Sequence, residues 1–252
     1  GWDGPWLQMP PRNVVPKPFQ RPHPPLWVAC TQRETIRLAA AKGLGALSFG
    51  FVEPGEAEEW VGEYYKIIGS DACVPAGFSV NANIACALPF MCHEDEEEAI
   101  NRGLDGAHFF GYSLGHFYGF GNHQPGVTDI HEQFLANRTA FGFDRETAAQ
   151  VGVGLRARMK KEVDGVAEGV ASLRGAIGTP DQIRDLLLDY EAAGVDQVIF
   201  ISQAGHNRHE HICESMELFA REVMGEFAER DPAHVAARDE RLADAVAAAL
   251  AR

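Results

Sequence analysis

What the chain lacks narrows the field first. It has no apolar run approaching the ~18 residues needed to cross a bilayer as a helix, so no membrane span is expected. Its five cysteines (Cys30, Cys73, Cys86, Cys92 and Cys213) are odd in number and include no Cys-x-x-Cys pair, which argues against a disulfide framework and a thiolate zinc site. Cations are scarce: 22 Lys and Arg face 36 Asp and Glu, a formal net charge of -14. Such a surface repels phosphate backbones and anionic lipid, so no nucleic-acid or membrane partner is expected and a small ligand fits better. The start of the chain lacks the charged, apolar and small-residue order of an export signal, and a cytoplasmic setting is expected.

What is present is an ordinary globular composition. With 252 residues, 46% of them hydrophobic and 23% charged, the chain can bury a sizeable core. Residues 1–25 hold eight of the 14 prolines and show no periodicity, so they read as an extended connecting segment. Leu26–Cys30 is a short apolar run of the doubly buried strand type. Thr31-Gln-Arg-Glu34 then has the form of a capping box opening a helix over Thr35–Lys42. Gly43-Leu-Gly45 ends that helix, Ala46–Phe49 supplies a second strand, and a further helix runs from Pro54 to about Ile68. Asn83–Met91 is a third strand, followed by the acidic helix start His93–Glu98, whose carboxylates suit the positive end of a helix dipole.

Residues 108–143 change character to glycine, aromatics and histidine, and read as an insertion or lid over a site. Helical sequence returns from Arg145 to Ala171. A second capping box, Thr179-Pro-Asp-Gln182, leads a helix to Ala193, and Val195–Ser202 is the fourth strand. An amphipathic helix over Glu210–Phe227 and a surface helix over Pro232–Arg252 close the chain. The domain reading is a connecting segment (1–25), a partial barrel (26–230) and a terminal helix (231–252). Four buried strands joined by helix-length crossovers make the fold class α/β with a parallel sheet. An open doubly wound sheet and a barrel both fit this pattern; a closed (β/α)8 TIM barrel needs eight such units, so on that count the chain corresponds to about half of one.

Several groups carry candidate chemistry. A helix start with unpaired N–H groups, as at Thr31–Thr35, holds phosphate well, although capping boxes commonly do no more than start helices. Ser202-Gln203-Ala-Gly205 follows the last strand, at the end of an α/β sheet where sites are built, and Ser48 and Phe49 occupy the matching place on the second strand. His206, His209 and His211 form the most metal-like cluster, but they lack the His-Glu-x-x-His spacing and no metal site is assigned. Gly152-Val-Gly154 mimics a dinucleotide fingerprint without its strand-turn-helix setting and is set aside, as is the Asn137-Arg-Thr139 sequon.

Two blocks carry a resemblance. Pro16–Cys30 with Thr35–Gly45, and Ile177–Ile183 with Ala193–Ile199 and Glu214–Val223, resemble the bacterial luciferase-like flavin-dependent monooxygenases. The resemblance implies the C-terminal part of a (β/α)8 barrel, with the natural protein extending upstream of Gly1. It implies reduced FMN as cofactor, with O2 and a small organic substrate, a separate flavin reductase as a partner and a homo-oligomer as the assembly. It places the cofactor phosphate at Ala29, Cys30, Thr31, Gln32 and Thr35, where Arg33 would add charge, with Gln203 as a further contact. Catalytic residues are not assigned. The alternatives are a deazaflavin (F420)-dependent oxidoreductase of the same fold, a non-catalytic barrel fragment that binds flavin or another copy, and, from the histidine cluster, a metal-dependent hydrolase.

Overall fold

The computed structural model describes residues 1–49, 54–143, 145 and 174–252. A small antiparallel pair, β1 (Trp2–Asp3) with β2 (Gln8–Met9), lies within the proline-rich segment. The main sheet has five parallel strands: β3 (Trp27–Cys30), β4 (Gly45–Phe49), β5 (Ile84–Cys92), β6 (Ala176–Gly178) and β7 (Gln197–Ile201). β5 is the axis. Its residues Ala85–Ala87 pair with β4 on one edge and β7 on the other, while Phe90–Cys92 pair with β6. All nine residues of β5 are buried, as expected of a central parallel strand.

The helices are α1 (Arg33–Ala41), α2 (Pro54–Ile68), α3 (Glu96–Gly115), α4 (Ile130–Asn137), α5 (Pro180–Ala192), α6 (His209–Phe219) and α7 (Gly225–Leu250). Period-two alternation sends one side of each strand into this layer. Cys30, Ala46 and Ile84 meet Ile36, Ala39, Val61 and Tyr64, and Leu242 and Ala249 of α7 join the same cluster. Cys86, Leu88, Phe90 and Phe200 meet Ile183, Leu187 and Tyr190. Phe90 stacks on Phe200 at 4.2 Å and takes the edge of Phe219 at 5.4 Å. Each fully buried Ile, Leu or Phe contributes about 1.5–3 kcal/mol by leaving water, which is what fastens the helices to the strands.

The amino-terminal end of the sheet is closed by polar contacts. The Tyr64 hydroxyl meets the Leu44 carbonyl at 2.8 Å and accepts from the Asn83 amide at 3.1 Å. Asp196 accepts from the Tyr65 hydroxyl at 2.6 Å and the Ile84 amide at 2.8 Å, and pairs with Arg238 of α7 at 3.2 Å. Burial first, then the Asp196 charge, pushes the Tyr65 phenol far above its usual range, so it stays a neutral donor.

Four expectations are corrected. The sheet has five strands rather than four, because β6 is only three residues long and too short to show periodicity. Residues 108–115 belong to α3 rather than to an insertion. The glycines that suggested a loop there serve close packing: a Cβ on Gly103 would lie 2.5 Å from Met91, and one on Gly106 would lie 2.5 Å from Asn207. The last helix starts at Gly225 and runs through Pro232, after a π-helical segment, Ala220–Met224. Proline inside a helix costs about 3 kcal/mol, yet the element continues because Val223 before it and Leu242 and Ala249 after it are buried. Finally, α1 begins at Arg33 with Gln32 as an N-cap that makes no side-chain bond, so the box expected at Thr31 does not form. The second box does form: Thr179 accepts from the Gln182 amide and the Gln182 side chain accepts from the Thr179 amide. The helix expected over Arg145–Ala171 and the Gly152-Val-Gly154 motif lie outside the described residues, Arg145 apart.

Candidate functional site

Parallel strands place all their carboxyl ends on one face, and the helices that follow start there. First turns of α1, α2, α3, α5 and α6 carry Glu34, Glu56, Glu96–Glu98, Asp181 and Glu210. These carboxylates offset the positive helix ends and give the face an acidic rim. α1 differs from α3 and α5, whose first turns are capped by Asp95 and Thr179 side chains. With Gln32 giving no cap, the amides of Arg33 and Glu34 have no intrahelical acceptor, while the Thr35 amide closes on the Gln32 carbonyl at 3.1 Å.

The predicted contacts divide by position. Thr31 and Gln32 are exposed at this helix start, and Thr35 is half-buried on its first turn. Ala29 is exposed on the sheet face turned away from the helices, beside Leu47 in register. Cys30 points the other way: its thiol is buried among Ile36 and Ala39, donates to the Val28 carbonyl at 3.4 Å and is pushed up to about 11 by burial. Only its backbone faces the site. Arg33 does not supply charge, because its guanidinium is drawn to Glu63 at 2.8 Å and Glu59 at 3.4 Å on α2. The donor set for a phosphate is therefore two free amides, the Thr31 hydroxyl and the Gln32 side chain, with the helix dipole behind them. That set fits an anion.

Ser48 is buried at the end of β4, and the Phe49 side chain lies outside the described positions. Gln203 is exposed beyond the end of β7. β3 and β7 are separated by three interstrand spacings, so Gln203 and Thr31 stand roughly 14 Å apart across the face. The β7–α6 loop is pinned: the Asn207 side-chain amide donates to the Ser202 carbonyl at 2.9 Å, and a Cβ on Gly205, which stands at φ 59°, would lie 3.2 Å from Gly106 of α3. α3, which packs on β5 and β6, thus lies close against the β7–α6 loop. The three histidines of the metal-like cluster diverge. His206 lies 4.0 Å from the His131 ring, and His209 Nε2 meets Cys213 Sγ at 3.5 Å. No group of three or more potential ligands is arranged to hold a metal among the described residues.

Sequence reasoning missed one feature of this face. Arg174, just before β6, is wholly buried; its Nε donates to the Ile177 carbonyl at 2.9 Å and its Nη2 pairs with Glu96 at the start of α3. That hydrogen bond, with a second from Gln182 of α5, holds the Glu96 carboxyl below its usual range. The cation ties β6 to the start of α3, and the Glu96 carboxylate in turn takes a hydrogen bond from the start of α5, a link that no local spacing announces.

The family profile described as luciferase-like monooxygenase matches residues 2–197, most of the chain. The chain belongs to that family. Among solved structures, this luciferase-like chain is similar to the monooxygenase RslO1 from Streptomyces bottropensis, with 20% identity over 90% of this chain and 55% of that one, at a TM-score of 0.54. It is similar also to apo-MsnO8, with 19% identity, 84% and 53% coverage and a TM-score of 0.50. At these identities the likeness is one of fold, and the chain spans about half the length of these relatives. No curated protein matches it. The fold class is that of the luciferase-like α/β barrels, represented by a parallel sheet with its helix layer. No helix among the described residues is long and apolar enough to cross a membrane.

Proposed function

We propose that this luciferase-like chain holds the phosphate end of reduced FMN at the start of α1 and takes part in oxygenating a small organic substrate with O2. The observation that carries the reading is the uncapped helix start at the carboxyl end of β3, in a chain of a monooxygenase family. The amides of Arg33 and Glu34 and the hydroxyl of Thr31 donate to the phosphate, whose charge is favoured by the α1 dipole. Gln32 adds a side-chain donor, Thr35 borders the cradle, and the Ala29 and Cys30 backbones form its strand side. Gln203, across the face, hydrogen-bonds the ring system or the substrate. Reduced flavin supplies the electrons and the reaction with O2; the chain's own share is to bind, orient and keep water away.

A separate reductase delivering reduced flavin, a cytoplasmic setting and a homo-oligomeric assembly complete the proposal. F420 shares a phosphate-bearing tail and is the competing cofactor. Equilibrium titration with FMN, riboflavin and F420 separates the cases. FMN is expected to bind at least tenfold more tightly than riboflavin, which lacks the phosphate. Equal affinity for the two removes the cradle, and F420 bound more tightly than FMN makes the chain a deazaflavin protein.

A further inference from the structure

A buried polar side chain without a partner lies outside the cradle. His116 opens a π-helical segment, His116–Phe120, at the end of α3, and is 2% exposed. Both its ring nitrogens are buried without a hydrogen-bond partner. A neutral imidazole carries one donor and one acceptor, and burying both unpaired forfeits their bonds to water. Such groups in a native fold call for a reason, and π-helical insertions of this kind often accompany binding sites. The surroundings are rings: Phe117 and Phe120 present edges to the imidazole at 5.4 and 6.1 Å, His123 does so at 5.7 Å, and Tyr112 lies tilted at 6.4 Å. The chain is fitted around it, since a Cβ on Gly121 would sit 2.4 Å from the imidazole Cγ. The outer wall is loose by comparison, with Phe117 58% exposed and Phe120 36% exposed.

We infer that the His116 nest is a binding site for a flat, apolar ring compound bearing a hydroxyl or carbonyl group. The ligand's ring replaces Phe120 against Tyr112, offset or edge-on as aromatic pairs prefer, and its oxygen bonds the imidazole. A hydroxyl donates to the unprotonated ring nitrogen, or a carbonyl accepts from the protonated one. The Phe117 and Phe120 rings turn outward to admit it, which their exposure permits and which the more deeply packed Phe134 and Phe143 do not share. This site goes beyond the flavin reading and does not rest on it.

The test compares 1-naphthol with naphthalene, the same ring without the oxygen, by fluorescence titration in the absence of flavin. Wild type is expected to bind 1-naphthol at least tenfold more tightly than naphthalene. His116→Phe, which keeps the ring packing and removes the nitrogens, is expected to abolish that preference while leaving the melting temperature unchanged or raised. His116→Gln is expected to retain part of the preference. Failure of both probes to bind overturns the proposal, as does a preference that survives in His116→Phe. A marked fall in the melting temperature of His116→Phe also overturns it, since the imidazole would then be serving the fold.

Discussion

Removing Glu96 and removing Arg174 should have unequal effects. Arg174 has 1% of its side chain exposed and Glu96 45%, so the pair is one buried cation answered by a half-solvated anion. Taking one partner from a wholly buried pair costs about 3–5 kcal/mol, and the solvent at Glu96 screens part of that, so Glu96→Ala should lose about 1.5–3 kcal/mol. Arg174→Met removes the charge together with its desolvation, fills a similar volume and should lose no more than about 1 kcal/mol. The double variant should resemble Arg174→Met, because no unpaired charge remains. Urea unfolding at pH 7 measures all three. The pH dependence has a definite sign: Glu96 has its folded pKa lowered by Arg174, so its contribution is present above the ordinary carboxyl value of 4.5 and is lost as pH falls through the folded value. Glu96→Gln should flatten the acid limb of the stability curve below pH 4.5. If Arg174→Met proves as damaging as Glu96→Ala, or Glu96→Ala costs less than about 0.5 kcal/mol, the buried-cation account is wrong.

Three further outcomes follow from the packing. A thiol reagent at pH 8 should modify Cys213 alone in the native protein and all five cysteines after denaturation, because burial raises the Cys30, Cys86 and Cys92 thiols to about 11, 12 and 11 and also raises Cys73; two or more native equivalents would contradict the core. Thr179→Ala should cost about 1 kcal/mol in urea unfolding by removing the capping box that starts α5, and a neutral result would mean that water replaces the cap. Gly106→Ala should lower the melting temperature by forcing α3 off the β7–α6 loop, whereas Gly62→Ala, which meets open space on α2, should raise stability by about 0.5–1 kcal/mol; equal effects at the two sites would refute the close approach of α3.

Features that depend on neighbours in sequence were legible, and those that depend on neighbours in space were not. The box at Thr179 was readable because Thr179 and Gln182 satisfy each other. The same pattern at Thr31 forms no box, because the helix begins one residue later, with Gln32 at the N-cap and no side-chain bond there. The strands flanking α1 and the run through β5 showed in their apolar residues, but β6 is held by three register pairs with β5 and has no signal of its own. Glycines 103 and 106 looked like loop formers until the residues they admit, Met91 and Asn207, were in place. The site divides in the same way. Thr31, Gln32 and Gln203 came from strand ends and resemblance, whereas the inward turn of Cys30, the diversion of Arg33 and the Arg174–Glu96 link needed the packed helices.

The cradle at α1 is tested most directly by comparing Arg33→Pro with Arg33→Ala in an FMN titration. Both variants lose the contacts to Glu59 and Glu63, but only proline removes the amide hydrogen, and it does so at a first helical position where proline fits and behind a Gln32 already extended at φ -137° and ψ 153°. A hydrogen bond to a charged group is worth about 1.5–3 kcal/mol, so Arg33→Pro should bind FMN about 10- to 100-fold more weakly than Arg33→Ala, with riboflavin affinity the same for both. Equal FMN affinity in the two variants would contradict the placement of the phosphate at the start of α1.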